Sequence, residues 1–125
     1  MVQKDLLLEN NEIFLSYAND FFASAETPEN MVLFSGIAIT AWNLSFNPEN
    51  EVDQKIESFQ KRIGLSQFTN GGRIVPLKEK ILELIKLKND TFVDHAFQIL
   101  KADFESNDEG AISIIVTTRE VDKPK

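Results

Sequence analysis

The sequence contains no cysteine and only one histidine among its 125 residues. Without cysteine there can be no disulfide, no thiolate zinc site and no cysteine nucleophile. The first eight residues also lack the basic start and long apolar stretch of a signal peptide. Because nothing in the chain requires an oxidising compartment, we expect a cytoplasmic protein.

Long apolar runs and positive charge are scarce as well. The uncharged stretch at residues 30–48 has an apolar part, 31–46, that falls short of the roughly 20 residues a membrane span needs. The formal charge of −7 repels nucleic-acid phosphates and anionic lipid headgroups. We therefore expect no membrane association and no nucleic-acid partner. One locally positive segment keeps an RNA or DNA patch open as an alternative: Arg73, Lys78, Lys80, Lys86 and Lys88.

The residues that are present are typical of a globular domain. Ten phenylalanines supply large pieces of surface that can be buried at little hydrogen-bonding cost. At a length of 125 residues, a second independent core is not expected. We predict a single domain over residues 1–125, with a disordered tail at 119–125.

Two helices are predicted in the first half of the chain. Ile13, Phe14 and Tyr17 begin an apolar rhythm of three and four residues, which indicates one buried helical face. Thr27 and Pro28 then supply the N-cap and first-turn proline of a second helix over residues 27–45. Because apolar side chains surround this second helix on every side, we expect it to be the buried centre of the fold.

Similar signals predict three further helices. Pro48 begins an amphipathic helix that ends at Gly64, and Pro76 begins a fourth helix after a loop or hairpin turn at 65–75. A fifth helix is expected to begin at Asn89 or Asp90. Its apolar stripe comprises Phe92 or Val93, Ala96, Phe97, Leu100 and Phe104.

The last segment has a different pattern. Residues 111–118 are rich in β-branched side chains, which predicts a strand. Three partners are open to this strand: residues 73–75, residues 2–8, or the same strand in a second copy, which would make a homodimer. The predicted fold is mainly α, a five-helix bundle around a buried central helix with a small β element, and α+β is the alternative.

Motifs that commit a chain to catalysis are missing. His95 lies in neither the His-Glu-x-x-His pattern of zinc hydrolases nor the Glu-x-x-His pattern of di-iron sites. No serine lies in a Gly-x-Ser-x-Gly context, and Gly71 and Gly72 do not lead into the Lys-Ser or Lys-Thr of a P-loop. We therefore predict no catalytic residue, no metal ligand and no cofactor.

Two functions remain open at this point. The first is a non-catalytic protein-binding or regulatory domain that acts through protein contacts and forms a homodimer. The alternative is a small-ligand binder or enzyme with a pocket between helices, because polar groups within an apolar bundle are where such pockets form. The predicted pocket residues are Tyr17, Trp42, Asn43 and His95.

Overall fold

The computed structural model describes residues 2–23, 25, 27–70, 72–92, 95–106 and 112–121. Within these ranges it has four helices and four strands, and the strands form two antiparallel pairs, each made of two strands that follow one another in the chain. The fold is therefore α+β, and the predicted count of five helices is wrong. The elements are α1 (Val2–Phe22), α2 (Pro28–Leu44), α3 (Glu49–Ile63), β1 (Gln67–Asn70), β2 (Arg73–Pro76), α4 (Leu77–Thr91), β3 (Phe97–Ser106) and β4 (Ile112–Glu120).

Helix α2 begins where the sequence predicts. The Thr27 hydroxyl accepts a hydrogen bond from the backbone N–H of Asn30 at 3.1 Å, which satisfies one of the amides left unpaired in the first turn. Phe34, Ile37 and Trp42 of this helix are completely buried. The uncharged segment is thus the centre of the hydrophobic core.

The amphipathic helices α1 and α4 pack against α2, and α3 packs against α4. The rings of Phe21 in α1 and Phe34 in α2 stack with their centroids 4.5 Å apart, and Ile81 of α4 is completely buried. Helix α3 buries the predicted stripe that includes Ile56, and it ends at Gly64. Gly64 has a φ of 72°, the left-handed conformation that glycine adopts most easily at the end of a helix.

The predicted fifth helix is wrong, because residues 97–106 form strand β3. Its pairing register passes from Ile99 directly to Lys101, so Leu100 is the extra residue of a β-bulge. The bulge interrupts the two-residue alternation of a strand. It leaves apolar residues at positions 97, 100 and 104, a spacing that is also typical of a helix.

Strand β4 pairs with β3, which is none of the three partners considered from the sequence. The register places Thr118 opposite Ile99 and Ile114 opposite Phe104. The segment at 73–75 pairs instead with β1, as part of strand β2. β4 extends through Glu120, two residues beyond its predicted end, while 111 and 122–125 lie outside the described residues.

Candidate functional site

The polar residues of the central helix bind the backbone of strand β3. Trp42 is completely buried, and its indole N–H donates a hydrogen bond of 2.7 Å to the carbonyl oxygen of Phe97. Its ring also packs against the Phe97 ring, with the two centroids 4.7 Å apart. Trp42 therefore fills the core and fixes the start of β3 at the same time.

Asn43 makes two hydrogen bonds to a single residue of β3. Its Oδ1 accepts from the backbone N–H of Ile99 at 2.8 Å, and its Nδ2 donates to the Ile99 carbonyl oxygen at 2.9 Å. A neighbouring strand would satisfy the same donor and acceptor in the same way. The side chain thus takes the place of a third strand at this edge of the sheet.

The opposite edge of the sheet is held by helix α1. Asn11 Oδ1 accepts a hydrogen bond from the backbone N–H of Val116 at 2.8 Å. Asn10 is buried, and its Nδ2 donates to the Thr118 hydroxyl at 3.0 Å and to a carboxylate oxygen of Glu120 at 2.9 Å. Amide side chains therefore cover parts of both edges, which limits the backbone available for pairing with another strand.

Tyr17 is buried beside Trp42, with the ring centroids 4.9 Å apart. Its hydroxyl donates a hydrogen bond of 3.3 Å to the carbonyl oxygen of Leu84. Burial disfavours the phenolate and raises the pKa of the Tyr17 hydroxyl above its ordinary value. At neutral pH the group is a proton donor that joins α1 to α4.

His95 lies between α4 and β3 and is half-buried. Its ring centroid is 6.2 Å from that of Phe92, which also contacts the rings of Tyr17 and Trp42, at 5.7 and 6.1 Å. The structure thus joins three of the predicted pocket residues through one phenylalanine. The polar atoms of Asn43, the fourth residue, are directed to β3. Ligand binding by this group stays a prediction.

Lys88 is a buried cation that the sequence interpretation missed. It is 2% exposed, and its Nζ lies 4.9 Å from the centroid of the Trp42 ring and 4.7 Å from that of Phe46. The faces of aromatic rings attract cations, which offsets part of the cost of burying the charge. Loss of solvation still lowers the pKa of the Lys88 amine. The sequence indicates this buried position, because Lys88 follows Leu84 by four residues and so lies on the inward stripe of α4.

The other lysines of the locally positive segment are paired with acids. The Nζ–carboxylate distances are 3.4 Å for Lys78 to Asp53, 3.3 Å for Lys80 to Glu83 and 2.9 Å for Lys86 to Asp90. The last contact raises the pKa of Lys86 through a hydrogen bond and charge attraction. The charges that suggested a nucleic-acid patch are therefore largely matched by neighbouring carboxylates.

Two clefts open beside α4. One, of about 420 Å³, lies against α1 and is lined by Tyr17, Leu84 and Leu87 among others. The second, of about 580 Å³, lies against α2 and α3, with Leu82, Val52 and Asp53 in its wall. Both combine apolar and polar groups, as small-molecule sites do.

Strands β3 and β4 present a solvent-exposed face, which we call the outer face. Its side chains alternate with the buried Ile114, Val116 and Thr118 of β4. Ile115 is 43% exposed near the middle of this face, and charged residues lie toward both ends of the face. The outer face consists of Gln98, Lys101, Asp103 and Glu105 on β3 and Ile115, Thr117 and Arg119 on β4.

Comparison with protein families, curated proteins and solved structures finds no match for this chain. None of the described helices is long and apolar enough to cross a membrane. Among the same residues, no group of three or more histidine, aspartate or glutamate side chains is arranged to hold a metal ion.

Proposed function

We propose that this chain is a non-catalytic protein-binding or regulatory domain of the cytoplasm, which acts through protein contacts and associates with itself. The observation that supports the proposal most is the exposed apolar surface of β3 and β4. Leu100 is 54% exposed, Ile115 is exposed on the outer face, and Phe104, which lies opposite the buried Ile114, is exposed on the other face of the same strands. Large apolar side chains left exposed on neighbouring strands favour contact with another protein.

The hydrogen bonds of the central helix support the same proposal. The polar groups of Trp42 and Asn43 are engaged by the backbone of β3, and that of Tyr17 by α4. The bonds of Trp42 and Asn43 hold the sheet against α2, and the bond of Tyr17 holds α1 against α4. That sheet in turn carries the exposed apolar residues, so the polar centre serves to present a surface.

Sedimentation equilibrium tests the self-association, because it measures the weight-average mass. The wild-type chain is examined from roughly 10 to 500 µM, a range that brackets weak protein–protein affinities. The proposal expects the weight-average mass to rise from the monomer value of 14.2 kDa toward twice that value. A constant monomer mass over the whole range would refute it.

A second candidate is a small-ligand binder, and one observation favours it. Tyr17, one of the predicted pocket residues, lines the cleft between α1 and α4. A ligand there would contact Leu84 and Leu87 and have the charges of Asp20 and Lys80 within the same cleft. Screening of a metabolite mixture by ligand-observed NMR tests this, with Leu87→Glu as the variant expected to abolish binding. No bound compound, or binding unchanged in that variant, would refute it.

A further inference from the structure

The outer face has a charge arrangement that is complementary to itself. We propose that a second copy of this chain docks on the outer face, with the strands of the two copies antiparallel about a two-fold axis. This inference rests on the proposed self-association and names the surface that carries it. Four charged side chains and Ile115 would make the contacts.

The charges of the outer face are separated along the strands. Each outer-face residue of β3 forms one row with its partner on β4. Arg119 and Gln98 form the row at the end where β3 begins, and Lys101 lies in the next row. Asp103 and Glu105 occupy the two rows beyond, toward the end of β3. One half of the face is therefore positive and the other negative, although the whole chain is strongly acidic.

A two-fold axis converts this separation into attraction. The axis lies between the two docked faces, perpendicular to the strands and midway between the Lys101 row and the Asp103 row. Each row of one copy then faces the row of the other copy that lies at the same distance on the opposite side of the axis. Lys101 Nζ lies 3.7 Å from Asp103 within its own chain, and in the dimer it also faces Asp103 of the other copy, while Arg119 reaches toward Glu105. Every contact occurs twice. An axis parallel to the strands would instead place like charges together, so the charges select one orientation.

The middle of the outer face supplies an apolar contact in the same arrangement. Ile115 shares a row with Asp103, and Thr117 shares a row with Lys101. The two-fold axis therefore sets Ile115 of one copy over Thr117 of the other. Both residues carry methyl groups, and Ile115 still has 43% of its surface to bury.

The size of the outer face limits the affinity. Four rows spaced by about 7 Å on two strands cover about 300 Å² per copy, or about 600 Å² in the dimer. Stable complexes bury roughly 1,200 to 2,000 Å² in total. The dimer should therefore be transient, with a dissociation constant on the order of 100 µM.

Charge reversal on the two halves gives the test. One variant carries Lys101→Glu and Arg119→Glu, and the other carries Asp103→Lys and Glu105→Lys. Each variant alone places like charges on the whole face, so each should remain monomeric where the wild type dimerises. Mixed in equal amounts, the two variants should form a heterodimer at least about tenfold tighter than the wild-type dimer, because one face is then wholly negative and the other wholly positive, whereas the wild-type dimer also brings like charges near each other. Circular dichroism verifies that both variants fold.

A matched control distinguishes the effect of the outer-face charges on dimerisation from the effect of the net charge. Glu51 and Glu57 are exposed on α3, and replacing both by lysine changes the net charge as Asp103→Lys and Glu105→Lys do. This control should dimerise like the wild type and should not pair with the Lys101→Glu, Arg119→Glu variant. Heterodimers formed equally with the control would overturn the inference, as would mixed variants that stay monomeric.

The two proposals fail in different ways. A wild type that dimerises while both charge-reversed variants dimerise equally well refutes the outer face but retains self-association. A wild type that remains monomeric refutes both.

Discussion

The double hydrogen bond between Asn43 and Ile99 predicts a large and specific loss of stability when the amide is removed. Asn43→Ala deletes both bonds, each worth roughly 0.5 to 1.5 kcal/mol, and leaves the N–H of a residue that is 4% exposed without its partner. Alanine favours a helix over asparagine by several tenths of a kcal/mol, which offsets part of that loss. We expect a net decrease of about 2 kcal/mol in the free energy of unfolding, measured by urea denaturation.

The matched control is Asn19→Ala, an exposed asparagine within α1. This change gains the same helix propensity without breaking a bond to a strand, so the stability should stay constant or rise slightly. A third variant, Asn43→Asp, keeps the shape but places a carboxylate oxygen beside the Ile99 carbonyl oxygen. Its deficit against the wild type should shrink as the pH falls and the new carboxyl regains a proton to donate. Equal stabilities of the two alanine variants would refute the role given to Asn43.

Three other side chains give further predictions. Trp42→Ala should cost about 3 to 5 kcal/mol in denaturant unfolding because Trp42 is completely buried, and near-native stability would contradict its place in the core. Burial lowers the pKa of Lys88, so the amine binds its proton more tightly in the unfolded chain than in the folded one. The charged amine therefore lowers the free energy of unfolding at neutral pH. This loss disappears as the pH rises to the ordinary lysine pKa. Lys88→Met should accordingly gain stability relative to the wild type at pH 7, and the difference should narrow toward about pH 10.5, as urea titrations at several pH values would show. The raised pKa of Tyr17, the only tyrosine, keeps its proton bound in the folded chain, so ultraviolet titration should detect no phenolate until above about pH 10, together with alkaline unfolding. Ionisation at about pH 10 in a chain that is still folded would contradict its burial.

Local sequence signals were sufficient to predict boundaries of helices α2 and α3. Thr27, Pro28 and Gly64 predict boundaries correctly because capping depends on residues within one turn. The same signals fail for β3. Its bulge at Leu100 gives the apolar residues a helical spacing. Only the pairing with β4 makes this segment a strand and not a helix, and no local pattern reveals that pairing.

Ligand binding by the four predicted pocket residues stays a prediction, and the sequence does not reveal which groups those residues contact. Trp42 and Asn43 stand out as polar groups in an apolar segment, but their partners, Phe97 and Ile99, lie more than fifty residues away. The misassigned segment contains both partners, so the hydrogen bonds to a strand edge could not be foreseen. Lys88 is a different case. Its inward position follows from the helical period, whereas its aromatic neighbours depend on how α2 and α4 pack.

An NMR dilution series tests most directly that this chain acts by contact with a second copy of itself. Backbone amide spectra of the labelled wild type are compared between roughly 10 and 500 µM. The account expects concentration-dependent shifts at Lys101, Asp103 and Ile115, with the exposed residues of α3 unchanged. Identical spectra at all concentrations, or shifts confined to α3, would contradict it.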